Sequence, residues 1–233
     1  MKRLALIHTV RQGYLRFGEE VAEALPRIRI TNTLDEALAK EAVEQGVSPH
    51  LRRRFLMTAQ LAESTGADLI VCACTSMIPI MDEVRPFLQV PIILIDDEMH
   101  RRAPGMGDRV TVFATAASAM EPTVRKYQES ARRQGGPEKR ISTVLCPEAN
   151  AFMRAGNMGE HDRLVLEAAE RIRDTDLVIL SQYSISHLAK RMEEICGCRV
   201  IGSGPYCIQQ IARMLGEKAA DGGGHGRSGD DGK

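Results

Sequence analysis

Short continuous apolar runs alternate with longer amphipathic stretches along the whole chain. The runs Leu4–His8, Ile28–Thr31, Leu69–Cys74, Ile92–Ile95, Val110–Ala114, Ile141–Leu145, Leu177–Ser181 and Val200–Gly202 are mostly unbroken and rich in β-branched residues. That is the pattern of strands covered on both faces. Between them, helical spacing marks Phe17–Leu25, Leu34–Gln45, His50–Ser64, Ile78–Phe87, Glu121–Arg133, Glu160–Arg173, Ile185–Ile195 and Tyr206–Leu215. Strand–helix alternation of this kind predicts an α/β fold with parallel sheets and right-handed crossovers.

One stretch of the pattern occurs twice. Ala67 to Met77, ADLIVCACTSM, and Thr175 to Ile185, TDLVILSQYSI, each pass from an Asp through aliphatics into a small polar cluster at a helix start. Cys74 falls opposite Gln182. The echo continues in Met81-Asp82-Glu83-Val84 against Met192-Glu193-Glu194-Ile195, and in Val90-Pro91-Ile92-Ile93 against Cys198-Arg199-Val200-Ile201. Each half reads strand, polar turn, helix, strand. The repeat predicts two pseudo-symmetric, Rossmann-like parallel-sheet half-domains with the site between them, beyond the carboxyl ends of the strands. A boundary is expected near Ala103-Pro104-Gly105-Met106-Gly107. The last helix is expected to return to the first half. The expected units are 1–102 plus 203–216, then 103–202, with a disordered polar tail at 217–233 that holds His225.

Composition narrows the classes. The chain has 233 residues and a formal net charge of zero, so nothing favours nucleic acid or an anionic membrane as partner. The arginines at 52–54 and 132–133 have acidic neighbours and read as solvated helix faces. No run approaches the roughly 18 apolar residues of a membrane span. Met1-Lys2-Arg3 followed by LALIHTV is too short an apolar run for a signal peptide and reads as the first strand. A cytoplasmic location is expected. Six cysteines without a secretion signal suggest free thiols. Cys72/Cys74 and Cys196/Cys198 have C-x-C spacing rather than the C-x2-C of structural zinc, so no metal site is expected.

Four strands end in polar groups. His8 and Thr9 follow the first; Cys74, Thr75 and Ser76 follow the strand from Leu69; Thr115 and Ser118 follow Val110–Ala114; Gln182, Tyr183 and Ser184 follow Leu177–Ser181. Three of these clusters precede helices, whose free N–H groups and dipoles attract anions. Any one of Ser76, Ser118 and Ser184 alone reads as an N-cap; the three together point to a site for a small anionic molecule. Cys74, between a strand end and a helix start, is the candidate for chemistry, with its thiolate expected to be stabilised and its pKa depressed there. Cys72, mid-strand, reads as a buried structural thiol.

These residues resemble the aspartate/glutamate racemase superfamily, which also holds hydantoin racemases, maleate cis–trans isomerases and arylmalonate decarboxylases. ADLIVCACTS is similar to the family's first cysteine motif, where C-N-T or C-T-S follows an apolar strand. Val112-Phe113-Ala114-Thr115 with Ser118 resembles the mid-chain V-L-A-T-x-x-T segment. Cys146-Pro147 and Asp176–Leu188 fall where the later motifs lie. The likeness extends to about Gly216. It implies two α/β domains around one site, no metal or organic cofactor, and a homo-oligomer. In two-cysteine members one thiolate removes a proton α to a carboxylate while the other thiol reprotonates the opposite face.

Only Cys74 carries over from that pair. Gln182 fills the second position, and Cys196, Cys198 and Cys207 lie too far along the chain to replace it. A glutamine amide hydrogen-bonds but does not serve as acid or base near neutrality. Ser184 and Tyr183 are the nearest substitutes, Tyr183 with an ordinary pKa of about 10. The decarboxylases offer a single-thiol parallel in which one thiol protonates an enolate. They keep the second cysteine and this chain the first, so a proton would come from the opposite face. His8 is expected to orient a carboxylate, and His187 to be either an assistant in proton transfer or a surface residue. The expectation is a cofactor-independent enzyme acting through an enolate-like state. Cys74, with Ser184 or Tyr183, would do the chemistry. Thr9, Thr75, Ser76, Thr115, Ser118 and Gln182 would hold the anion. Isomerase or racemase leads; decarboxylase or another lyase is the alternative. The rival class is a non-catalytic ligand-binding or regulatory homologue.

Overall fold

The computed structural model describes residues 1–136 and 138–219. The first sheet and its helices comprise β1 (Arg3–His8), α1 (Arg11–Ala24), β2 (Arg29–Leu34), α2 (Glu36–Glu44), α3 (Pro49–Ser64), β3 (Leu69–Cys72), α4 (Ile78–Val84), β4 (Ile92–Leu94) and α5 (Asp97–Arg102). There follow β5 (Arg109–Ala114), α6 (Ala117–Arg133), β6 (Arg140–Leu145), α7 (Pro147–Arg154), α8 (Met158–Ala169), β7 (Leu177–Leu180), α9 (Ala189–Cys196), β8 (Arg199–Ile201) and α10 (Ser203–Leu215). Two four-stranded sheets result, in the matching orders β2-β1-β3-β4 and β6-β5-β7-β8. Every pairing is parallel, and helices cover both sheets.

Every strand expected from the sequence is present, with ends displaced by no more than a few residues. The unbroken apolar runs are the inner strands: β3 and β7 are buried at every position. The edge strands β2 and β6 each have four of six positions exposed and none buried, which explains their more polar sequences. Leu34 ends β2 rather than opening a helix, and α2 starts after Asp35, whose carboxylate accepts from the Ala37 N–H.

The two Asp residues that open the echo have one structural purpose. Asp68 accepts from the Arg3 backbone N–H at 2.8 Å, and Asp176 from that of Arg109 at 2.9 Å. Each ties the lead into one central strand to the start of the other. Gly107 is required beside the second tie, because a Cβ there would lie 2.8 Å from that of Asp176.

Helix α10 packs Cys207, Ile211 and Leu215 with Leu4, Leu6, Phe17 and Val71, on a face of the first sheet. Each large aliphatic buried this way contributes about 1.5–3 kcal/mol. The halves are also joined by ions, Lys126 on α6 reaching Asp96 at 2.5 Å and Asp97 at 2.7 Å, while Arg213 ties α10 to Glu98 of α5 at 3.1 Å within the first half. All six cysteines are unpaired. Among the described residues no helix is long and apolar enough to cross a membrane. The expected tail lies, from residue 220 onward and with His225, outside the described residues.

Two helices were not foreseen. The six residues of α5 are too few to show a period; acids in its first turn and bases in its last match the helix dipole. Helix α7 follows β6 directly, with Pro147 in its first turn.

Candidate active site

The carboxyl ends of β1, β3, β5 and β7 converge on a cavity of about 410 Å³. The first half supplies Thr9, Cys74, Thr75 and Ser76; the second supplies Ser118, Gln182, Tyr183 and Ser184. Cys74 and Gln182 occupy equivalent places. Each has extended backbone (φ −145°, ψ 111° and φ −128°, ψ 138°) just before a 3-10 turn, at Thr75–Met77 and Tyr183–Leu188. Thr9 follows β1 as Thr115 follows β5, so each half sets a threonine beside its central polar residue.

The serines, any one of which alone would read as an N-cap, are not caps. Ser76, Ser118 and Ser184 each sit second in their helical turns, behind Cys74, Ala116 and Gln182 in the cap positions. That frees their hydroxyls. Those of Ser76 and Ser118 meet across the cavity at 3.1 Å. The Thr75 hydroxyl donates to the Ser181 carbonyl at 2.8 Å, joining one strand end to its counterpart.

Cys74 is buried, with 8% of its surface exposed. Burial pushes its thiol up; the Thr9 hydroxyl and the N–H groups of Ser76 and Met77 pull the other way without overcoming it. The expected depressed pKa is therefore corrected. The first turn does aim donors at the sulfur, but loss of water on burial outweighs them. Beyond the sulfur beside it, the Thr9 hydroxyl has no hydrogen-bond partner among the described residues.

Opposite, the Gln182 side-chain carbonyl accepts from the Thr115 N–H at 2.7 Å, the Ala116 N–H at 3.1 Å and the Thr115 hydroxyl at 3.2 Å. Three donors on one atom identify that atom as the oxygen, and the amide NH2 is left as the group that can serve the cavity. Tyr183 does not fit the proton-donor part expected of it. Its ring packs edge-on against Phe17 and over Gly204. Burial and the neighbouring Glu20 carboxylate push the phenol far above its ordinary range. Ser184 lines the cavity and remains the protic group of that wall.

Three expected residues do not line the cavity. His8 is wholly buried, with Nε2 2.9 Å from the Asn32 side-chain oxygen, and burial lowers its pKa. It stands behind Gly13, which is in the wall. Thr115 is buried beneath Gln182. His187 pairs with Asp162 at 2.9 Å on a neighbouring depression of about 240 Å³.

Other wall residues had no sequence signal. Glu36 and Lys40 come from α2, Asn150, Met153 and Arg154 from α7. Among the described residues neither Lys40 nor Arg154 forms an ion pair. Much of the remaining wall is Val or Ala: Val10, Ala37, Val43, Ala73, Ala116 and Ala119. Among the described residues no three His, Cys, Asp or Glu side chains gather as a metal site. The site thus offers one thiol, several hydroxyl and amide donors, two cations and the Glu36 carboxylate.

A family model described as Asp/Glu/Hydantoin racemase matches residues 18–211. Among solved structures, the aspartate racemase of Picrophilus torridus is similar at a TM-score of 0.71 and 14% identity, with 94% of this chain and 96% of that one covered. The allantoin racemase of Klebsiella pneumoniae gives a TM-score of 0.66 at 16% identity, covering 96% and 92%. An unliganded arylmalonate decarboxylase gives 0.55 at 15% identity, covering 95% and 97%. No curated protein sequence matches the chain.

Proposed function

The chain belongs to the Asp/Glu/hydantoin racemase family, and we propose that it is a cofactor-independent enzyme that forms an enolate-like state of a small carboxylate or carbonyl compound, with Cys74 as its only thiol acid–base. The observation that carries this reading is the asymmetry across the cavity. Cys74 and Gln182 hold equivalent strand ends. One ends in an ionisable sulfur and the other in an amide anchored by two backbone N–H groups.

Two-base racemisation needs an acid on one face and a base on the other. The Gln182 amide and the Ser184 hydroxyl are neither near neutrality. Chemistry is then confined to one face. The Cys74 thiolate takes a proton from the carbon next to a carboxylate or carbonyl, and the resulting thiol returns it to the same face of the delocalised anion. Hydroxyl and amide donors around the cavity stabilise the negative charge on oxygen. An isomerase that moves a proton along one face is the first reading.

The neutral resting thiol favours a second reading, a lyase. There the bond to a carboxyl group breaks, carbon dioxide leaves, and the electron pair stays on carbon. The Cys74 thiol protonates that carbon, and water reprotonates the sulfur.

The test is solvent-deuterium exchange, followed by NMR, into a panel of small carboxylates and carbonyl compounds, malonates included. Exchange or decarboxylation that disappears in Cys74→Ala, with the fold kept, supports the proposal. Full activity in that variant refutes it. A non-catalytic binding homologue predicts no exchange at all, with ligands still shielding Cys74 from alkylation.

A further inference from the structure

We propose that this site takes a carboxylate whose α-carbon carries an apolar, uncharged substituent in place of an ammonium group, with Lys40 and Arg154 holding the anion; this rests on the enolate-forming reading above. The charges around the cavity point that way. Among the described residues its one carboxylate is Glu36, exposed in the first turn of α2 rather than at a strand end.

The strand ends around Cys74 offer hydroxyls, N–H groups and an amide, but no anion. An ammonium beside the thiol would lose water and gain no counter-ion. Two acceptors at the strand ends are occupied, and the hydroxyls and the Asn150 amide that remain carry no compensating charge. The Gln182 side-chain oxygen already receives Thr115 and Ala116, and the Ser181 carbonyl receives the Thr75 hydroxyl.

The cations come from opposite halves, Lys40 from α2 and Arg154 from the end of α7. Without ion-pair partners among the described residues, both are available to one bound carboxylate. Val10, Val43 and Met153 lie in the same wall and suit a hydrocarbon substituent. Each methylene buried there strengthens binding about fourfold.

The test compares two acids of nearly the same shape, 2,4-dimethylpentanoate and leucine, which differ by a methyl for an ammonium on the α-carbon. Calorimetric binding to the Cys74→Ala protein separates recognition from chemistry. Tighter binding of 2,4-dimethylpentanoate by about tenfold or more supports the proposal, as does a loss of about five- to tenfold in each of Lys40→Ala and Arg154→Ala that shrinks with added salt. Equal or tighter binding of leucine overturns it, and so does saturable binding of neither acid. Unchanged affinity in both charge variants overturns the role given to Lys40 and Arg154. Failure of the catalytic reading shows up separately, as a wild-type protein that binds the acid yet exchanges no panel member.

Discussion

Replacing Gln182 by Glu separates its two jobs, holding the backbone that leads into α6 and facing the ligand. Its side-chain oxygen accepts from the N–H groups of Thr115 and Ala116 and from the Thr115 hydroxyl. Glu keeps an acceptor at that point and adds a negative charge beside a helix N-terminus, worth about 0.3–1 kcal/mol. Stability should hold or rise. Gln182→Ala removes all three bonds; with water able to enter from the cavity, the loss is about 1–3 kcal/mol, or roughly 2–12 °C in Tm for a chain of this size. Ligand binding should respond the other way. In the Glu variant a donor NH2 becomes a second anionic oxygen. Against a bound carboxylate about 5 Å away, at an effective dielectric of about 20, the repulsion is roughly 3 kcal/mol, on the order of a hundredfold in affinity. Thermal and urea melts, with calorimetric titration of 2,4-dimethylpentanoate, read both. Glu and Ala variants equally destabilised, or undiminished binding by the Glu variant, would refute the assignment of oxygen to the helix and nitrogen to the cavity.

Three further outcomes follow from burial and charge. Alkylation of Cys74 by iodoacetamide, measured against Cys74→Ala, should be slower at pH 7 than that of a free thiol and should climb above pH 9, because burial pushes this thiol up; rapid labelling at pH 7 contradicts it. Burial also holds Cys72 and Cys207 well above the ordinary value of 9.0. The folded state then keeps protons that the unfolded chain releases. Stability from these thiols is fully present below pH 9 and lost as pH rises through their folded values, so their contribution to urea midpoints should hold to about pH 9 and fall above it. Lys126→Met strips the partner from Asp96, which is 1% exposed, and should cost about 3–5 kcal/mol in urea unfolding; a loss below about 1 kcal/mol contradicts the ion pair's role between α5 and α6.

The fold was largely legible because its signal is local. Inner strands such as Leu177–Leu180 are apolar at every position, and turn or helix-start residues bound them on either side. The echo of ADLIVCACTSM in TDLVILSQYSI located the equivalent strand ends, and Cys74 and Gln182 do occupy matching backbone positions. What the sequence hid depends on tertiary approach. Lys40 and Arg154 look like ordinary charges on solvated helices until α2 and α7 bring them to one cavity. The direction of the Cys74 shift was misjudged because a helix start is visible in sequence while the depth of burial is not. Tyr183 was proposed as a proton donor from its place in the chain, but its ring orientation is decided by Phe17 and Gly204, far away in sequence.

The central claim is that chemistry occurs at one face of the substrate, through one thiol. The most direct measurement takes a single enantiomer of an exchanging substrate in deuterium oxide and follows α-deuteration by NMR and configuration by chiral chromatography. Deuterium entering with retained configuration, in a reaction that Cys74→Ala abolishes, is the predicted result. Racemisation keeping pace with exchange would mean that a second acid–base group works from the Gln182 side, and would contradict the account.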